Sequence, residues 1–238
     1  MPGKYIPLTD AIYDYAIAQR THANDTVLTE LMEETRSLGA ISEMAIGPDQ
    51  SSLISLLVSA IGARNAVEIG TFTGASSISI ARYLVPGGKL VCFDQDFRYT
   101  SIARRYWIKA NVQDRIDLRL GDARRLLPHY KPRELIDFVF IDADKESYDF
   151  YFETILPFVR VNGLILFDNT LRGGEVADPA KRGTGINKAI DALNRKLAAE
   201  NRVQTVLLAI ADGLTICRRN FVAGMDGRHM GESRRVTL

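Results

Sequence analysis

Two short apolar runs in the middle of the chain each end in residues able to grip a hard cation. The first covers 137–145 and closes on Asp142 and Lys145; the second covers 163–169 and closes on Asp168 and Asn169. Carboxylate and amide oxygens suit Mg²⁺ or Ca²⁺. Lys145 follows Asp142 by one helical turn, so an amine and a cation could share one pocket. Both runs have strand length, and a helix-length segment separates them. Strands joined by such a crossover lie parallel, with their carboxyl ends facing one crevice. Taken singly, Asp142 and Asp168 are better read as strand-end acids capping the next helix. Their convergence is what argues for chemistry.

A second constellation lies upstream. Glu68, Gly70 and Gly74 sit where a buried-type strand turns into a helix. The glycines permit close backbone approach, and the helix N-terminus supplies free amides. Their G-x-x-x-G spacing departs from the dinucleotide fingerprint G-x-G-x-x-G, and Glu68 suits a positively charged ligand better than a pyrophosphate. Asp94 ends the next strand, where an acid accepts hydrogen bonds from ribose hydroxyls. Asp122 ends the third, placed toward an adenine amino group. The ligand implied is a cationic nucleoside without phosphates, and S-adenosylmethionine (SAM) fits. The glycines alone fit a plain strand-to-helix turn equally well.

The elements that must position these groups follow from the pattern. Helices are predicted over Leu8–Arg20, with Thr9 as N-cap, over Thr26–Ser37, and over Gln50–Ile61 after a Gly-Pro linker. From Asn65 the chain alternates strand and helix. The strands are Ala66–Gly70, Lys89–Asp94, Ile116–Leu120, Ile136–Ala143 and Leu164–Asp168. The helices are Ser76–Leu84, Tyr99–Ala110, a short turn after Asp122, Ser147–Val159 and Ile186–Glu200. Alternation of this kind gives a doubly wound, mostly parallel α/β sheet. Val203–Ile210 and Leu214–Arg218 flank an Asp-Gly, the signal of a tight hairpin. The seven strands should therefore include one antiparallel strand at the edge. The chain divides into an N-terminal helical extension (1–45), a core domain (46–219) and a mobile tail (220–238).

Bulk properties narrow the function. A chain of 238 residues, 46% hydrophobic and 25% charged, has ordinary globular composition. A net charge of +1 and no basic stripe argue against nucleic acid as a partner. No apolar run reaches membrane-spanning length and no signal pattern opens the chain, so a cytoplasmic protein without a membrane partner is expected. Cys92 and Cys217 sit in strand-like runs and read as buried free thiols. His22, His129 and His229 read as surface residues. Tyr106 and Trp107 read as packing against the sheet, Arg124 and Arg125 as a solvated helix face, and 172–185 as a loop of lid composition.

Four segments in order, 67–74, 140–145, 167–171 and 212–219, resemble the cation-dependent, SAM-dependent O-methyltransferases, the caffeoyl-CoA and catechol O-methyltransferase family. The likeness runs from about Met44 to Arg219. It implies a Rossmann-like methyltransferase domain that moves a methyl group from SAM to a hydroxyl of a catechol-type aromatic. Asp142, Asp168 and Asn169 would hold the divalent ion, Mg²⁺ first, with Ca²⁺ or Mn²⁺ as alternatives. Lys145 would be the catalytic lysine, with Asp142 beside it. Met44, Ile46, Glu68, Gly70, Phe72, Thr73, Ser76, Asp94, Gln95, Asp122, Ala123 and Asp142 would bind the cofactor. Met44, Lys145, Asn169 and Arg172 would face the aromatic diol, and a homodimer is implied, with the N-terminal helices as a candidate contact.

Two positions depart from the family pattern. Arg172 stands where related members carry Trp, and Thr215 where the animal catechol enzyme has an acid. The substrate wall is thus altered, and Arg172 would suit an acidic aromatic. Competing readings are a metal-independent methyltransferase acting on a ring carbon or nitrogen, and a non-catalytic SAM-binding module. A nicotinamide-dependent oxidoreductase is disfavoured by the glycine spacing and Glu68.

Overall fold

The computed structural model describes residues 6–21 and 24–222. Three helices precede the first strand: α1 (Asp10–Ala18), α2 (Thr26–Arg36) and α3 (Pro48–Ala60). The Thr9 hydroxyl caps α1 by accepting from Ile12 N at 3.4 Å, and the Asp25 carboxylate caps α2 by accepting from Leu28 N at 3.0 Å. There follow β1 (Asn65–Ile69), α4 (Ala75–Ala81), β2 (Lys89–Asp94), α5 (Phe97–Lys109), β3 (Ile116–Leu120), α6 (Ala123–Leu126), β4 (Ile136–Ile141), α7 (Tyr148–Ile155), β5 (Val159–Phe167), α8 (Gly185–Ala199), β6 (Val203–Leu208) and β7 (Leu214–Arg219).

The strands form one seven-stranded sheet in the order β3-β2-β1-β4-β5-β7-β6. One strand runs against the rest, as expected at this edge: β7, paired antiparallel with β5 on one side and with the outermost β6 on the other. Strand residues alternate between two helical layers. Ala66, Cys92, Phe138, Phe140 and Leu166 pack with Leu31, Ile54, Ile78 and Trp107 on the α2–α5 side. Val67, Ile69, Val139, Ile141 and Phe167 pack with Tyr148, Phe152, Ile190 and Leu193 on the α7–α8 side. Both cysteines are buried and free, as expected. Trp107 is buried with its indole N–H donating to Ser77, while Tyr106 donates to Glu34 on α2. Helix α2 belongs to this core: Leu31 and Thr35 are fully buried, and the Thr35 hydroxyl donates to Thr73.

Two boundaries differ from expectation. The helix expected to reach Val159 ends at Ile155, and β5 already starts at Val159, interrupted by Asn162 at φ 64° and by a register shift against β4. The expected Asp-Gly turn forms: Gly213 N donates to Ile210 O at 2.8 Å across Ala211 and Asp212, and β6 and β7 pair antiparallel. The strand before it stops at Leu208, short of the expected Ile210. The turn is also held by its neighbour: Thr170 N donates to Gly213 O and Leu171 N to Asp212 O. His129 is exposed as expected; His22, His229 and residues 223–238 of the expected tail lie outside the described residues.

The strand order reverses between β1 and β4. Gly70, at φ 92°, follows β1, and a Cβ there would run into the carbonyl oxygen of Asp142 at the end of β4. Only glycine allows the two strand ends to meet at the switch point, where open α/β sheets bind ligands.

Candidate active site

Above that contact lies a cavity of about 840 Å³, a size typical of small-molecule sites. Its cation end is built from register. Ile141 and Phe167 are partners across β4 and β5, so Asp142 and Asp168, one residue further on, stand side by side about one strand spacing apart. Asp142 Oδ1 accepts from Lys145 Nζ at 2.6 Å. Asp168 Oδ1 accepts from Asn169 N at 2.6 Å and from Gln50 Nε2 at 2.8 Å. Asn169 sits at φ 54°, a left-handed conformation that asparagine tolerates. Its Nδ2 donates to Asp212 Oδ2 at 3.2 Å, which leaves its Oδ1 as a free acceptor.

The electrostatics fit a cation. Asp168 is 4% exposed, and burial pushes its carboxyl up to about 7, with the Asp142 charge adding to the rise. Burial also raises Asp142, outweighing the pull of Lys145. A buried carboxylate raised in part by the charge of a half-buried neighbour, beside an unused amide oxygen, forms a hard-oxygen donor set that divalent charge would relieve. Among the described residues no group of three or more His, Cys, Asp or Glu side chains forms a metal cluster. A cation here would instead meet two carboxylates and one amide oxygen, a set that suits Mg²⁺, an ion that keeps several waters.

Lys145 Nζ lies 5.2 Å from the Tyr148 ring centroid. Tyr148 is fully buried and its hydroxyl has no hydrogen-bond partner. The Asp144 side chain makes no helix-capping bond and accepts instead from Tyr151 OH at 2.5 Å. Arg172 sits at φ 51°, with Nη1 3.8 Å from Asp212 Oδ2, and its buried Nε has no partner. The Thr215 hydroxyl is buried and donates to Thr170, so it turns away from the cavity.

The cofactor end is organised by backbone. Asp94 Oδ2 accepts from Thr71 N and Phe72 N, both at 2.9 Å, and Oδ1 accepts from Asp96 N at 2.8 Å. This pins the β1–α4 turn and leaves little acceptor capacity for a ribose. Asp122 caps α6 by accepting from Arg124 N at 2.9 Å, and both its oxygens also take the Arg124 guanidinium. Gly74, at φ 94°, admits α5, since a Cβ there would meet Ala103 Cβ at 2.8 Å.

Nearly every residue singled out from sequence lines this cavity. Met44 and Ile46 cover one side, and Gly70, Phe72, Thr73 and Ser76 form the turn. Asp94, Gln95, Asp122 and Ala123 extend it, and Asp142, Lys145, Asp168, Asn169 and Arg172 close the far end. Glu68 is placed differently, beneath the wall and fully buried. Both its oxygens lack a partner, and burial raises its carboxyl to about 7. Ser76, Thr71 and Cys92 stand nearby and pull it partway back, though none meets hydrogen-bond geometry with it. Sequence reasoning missed Gln50, Asp212 and Tyr148. Gln50 and Asp212 act through contacts 118 and 43 residues away; only their place beside Met44–Gly47 and in the Asp-Gly loop hinted at a role.

Comparison with known proteins agrees with this geometry. The family model described as O-methyltransferase matches residues 18–220. "Probable caffeoyl-CoA O-methyltransferase 2" of Dictyostelium discoideum is 36% identical over 219 residues, covering 89% of this chain and 92% of its own length. The crystal structure of TomG from Streptomyces achromogenes, an O-methyltransferase of tomaymycin synthesis in complex with SAM, is 26% identical. It superposes with a TM-score of 0.81 over 89% of this chain and 96% of that one. An O-methyltransferase from Bacillus cereus in complex with SAH is 31% identical, with a TM-score of 0.78 over 87% of this chain and 97% of that one.

Proposed function

The chain belongs to the O-methyltransferase family, and from that premise we propose that it transfers the methyl group of SAM to one hydroxyl of a catechol-type aromatic in the presence of a divalent ion. The observation that carries the reading is the pairing of Asp142 and Asp168 at neighbouring strand ends, with Asn169 Oδ1 unused beside them. A SAM-bound and an SAH-bound relative share the fold, and a relative named for caffeoyl-CoA, a catechol thioester, is 36% identical. The β1–α4 turn and the Met44–Gly47 segment would enclose the nucleoside and its sulfonium.

Asp142, Asp168 and Asn169 would hold the ion, which when bound supplies positive charge that favours a phenolate and fixes a diol in place. Lys145, 2.6 Å from Asp142, is within reach of a hydroxyl held beside that carboxylate; with its own proton passed to Asp142, the neutral amine accepts the hydroxyl proton. The oxygen forms a bond to the methyl carbon while the carbon–sulfur bond breaks, its electron pair staying on sulfur as a neutral thioether. Arg172, with its buried and unpartnered Nε at the acceptor end, favours an acceptor that carries a carboxylate.

The test is transfer of labelled methyl from SAM to catechol-bearing acids. Activity should vanish with a chelator and return with Mg²⁺; methylation that persists in chelator would hand the site to ring-carbon or ring-nitrogen chemistry. A homodimer through α1 is part of the proposal, because Leu8, Ile12 and Tyr15 are exposed there. Light scattering at twice 26.5 kDa would support it, and at the monomer mass would remove it.

A further inference from the structure

Gln50 is the third residue of α3 and is 1% exposed. Its side chain faces two ways. Oε1 accepts from Gly47 N at 3.2 Å, and Nε2 donates to Asp168 Oδ1 at 2.8 Å. Gly47 closes the segment that begins at Met44 and covers the cavity over the cofactor end. One buried amide therefore joins the cofactor cover to a carboxylate of the cation end. Glutamine fits this place for a physical reason. A glutamate would set a second buried charge against Asp168, and an apolar residue would leave both Gly47 N–H and Asp168 Oδ1 short of a partner.

We propose that Gln50 is a positioning residue that couples cofactor and cation binding. With Asp168 Oδ1 held by Gln50 and by Asn169 N, Oδ2 is turned toward the site. When the Met44–Gly47 segment settles over the cofactor, Gly47 N fixes Gln50, and Gln50 fixes Asp168. Linkage makes the effect reciprocal: each ligand tightens the other by the same factor. This rests on the cation reading of Asp142, Asp168 and Asn169 proposed above.

The experiment is calorimetry of SAH binding with and without saturating Mg²⁺, and of Mg²⁺ binding with and without SAH, all without acceptor. Wild-type protein should show a reciprocal gain of at least ~5-fold. In Gln50→Met the gain should fall to about one, with Mg²⁺ affinity down roughly 10–100-fold, as for other groups that orient a metal ligand. Gly47→Pro breaks the link from the other side: it removes the N–H and sets ring Cδ where that hydrogen faced Gln50 Oε1. Gly47 stands at φ −72°, ψ 162°, which proline adopts, and an added Cβ meets the rotatable end of Asp49 and touches the Tyr13 hydroxyl. That variant should also lose the gain, and it decides the matter should Gln50→Met fail to fold.

A wild-type gain retained in either folded variant overturns the role of Gln50, and so does a wild-type protein that binds both ligands with no gain. Failure of Mg²⁺ to bind wild-type protein at all strikes instead at the cation site itself.

Discussion

The two ends of the cavity are finished in different ways. At the cofactor end the loop is closed by backbone: three amides converge on Asp94, and Gly70 and Gly74 give the room that the turn and α5 need. At the cation end side chains hold one another, Asp142 with Lys145, Asp168 with Gln50, Asn169 with Asp212, and they leave donors and acceptors unused. The first end is a mould whose shape exists before its ligand. The second is charge held in a tense arrangement, which a ligand must complete. The difference suggests that the nucleoside is recognised by shape and the acceptor by electrostatics.

Substitutions can sharpen or break that contrast. The largest effect is expected from Lys145→Ala, which removes the proposed proton acceptor beside Asp142. Turnover should fall ~10²–10⁴-fold while SAH affinity, measured by calorimetry, changes by less than a factor of about two. Unchanged turnover would remove lysine from the chemistry, and a large loss of SAH affinity in metal-free protein would show that Lys145 also serves the cofactor end.

Next comes Glu68, whose carboxylate is left without a partner beneath the cofactor end. Its carboxyl is raised from 4.5 to about 7 in the fold. Between those values the folded chain binds more proton than the unfolded one, so this group's contribution falls as pH rises through the window and is lowest above about 7. Glu68→Gln should flatten that part of the stability profile, by roughly 3 kcal/mol at full effect, in urea melts from pH 4 to 8. Identical profiles for variant and parent would mean that the carboxylate already has donors.

The smallest effect is expected at the rim. Arg172→Ala should raise KM for carboxylated catechols about tenfold, the worth of one charge-assisted contact, and leave neutral catechols near their starting value. Equal effects on both acceptors would assign Arg172 to holding Asp212 rather than substrate.

Legibility in the sequence followed the same division. Strand ends could be read because apolar runs stop abruptly at Gly70, Asp94, Asp142 and Asp168, a local signal. The identity of the cavity-lining turn was equally local. Gln50 and Asp212 were invisible because each works through a partner far along the chain. The Asp-Gly turn before β7 was legible because its closing bond, Gly213 N to Ile210 O, is local; the bonds from Thr170 and Leu171 that hold it from outside were not. The start of β5 was placed late because Asn162 and Gly163 look like a strand boundary, whereas they mark an irregularity within the strand.

Past Leu171 the chain passes through Gly173 at φ 60° and Gly174 at φ 84°, where an added Cβ would touch nothing within 4 Å. The floor, where Gly70 meets the Asp142 carbonyl, has no such freedom. New acceptors are thus more readily accommodated by lengthening or re-threading the stretch beyond Leu171 than by altering any strand, and a lineage could change its diol without disturbing the transfer step beneath.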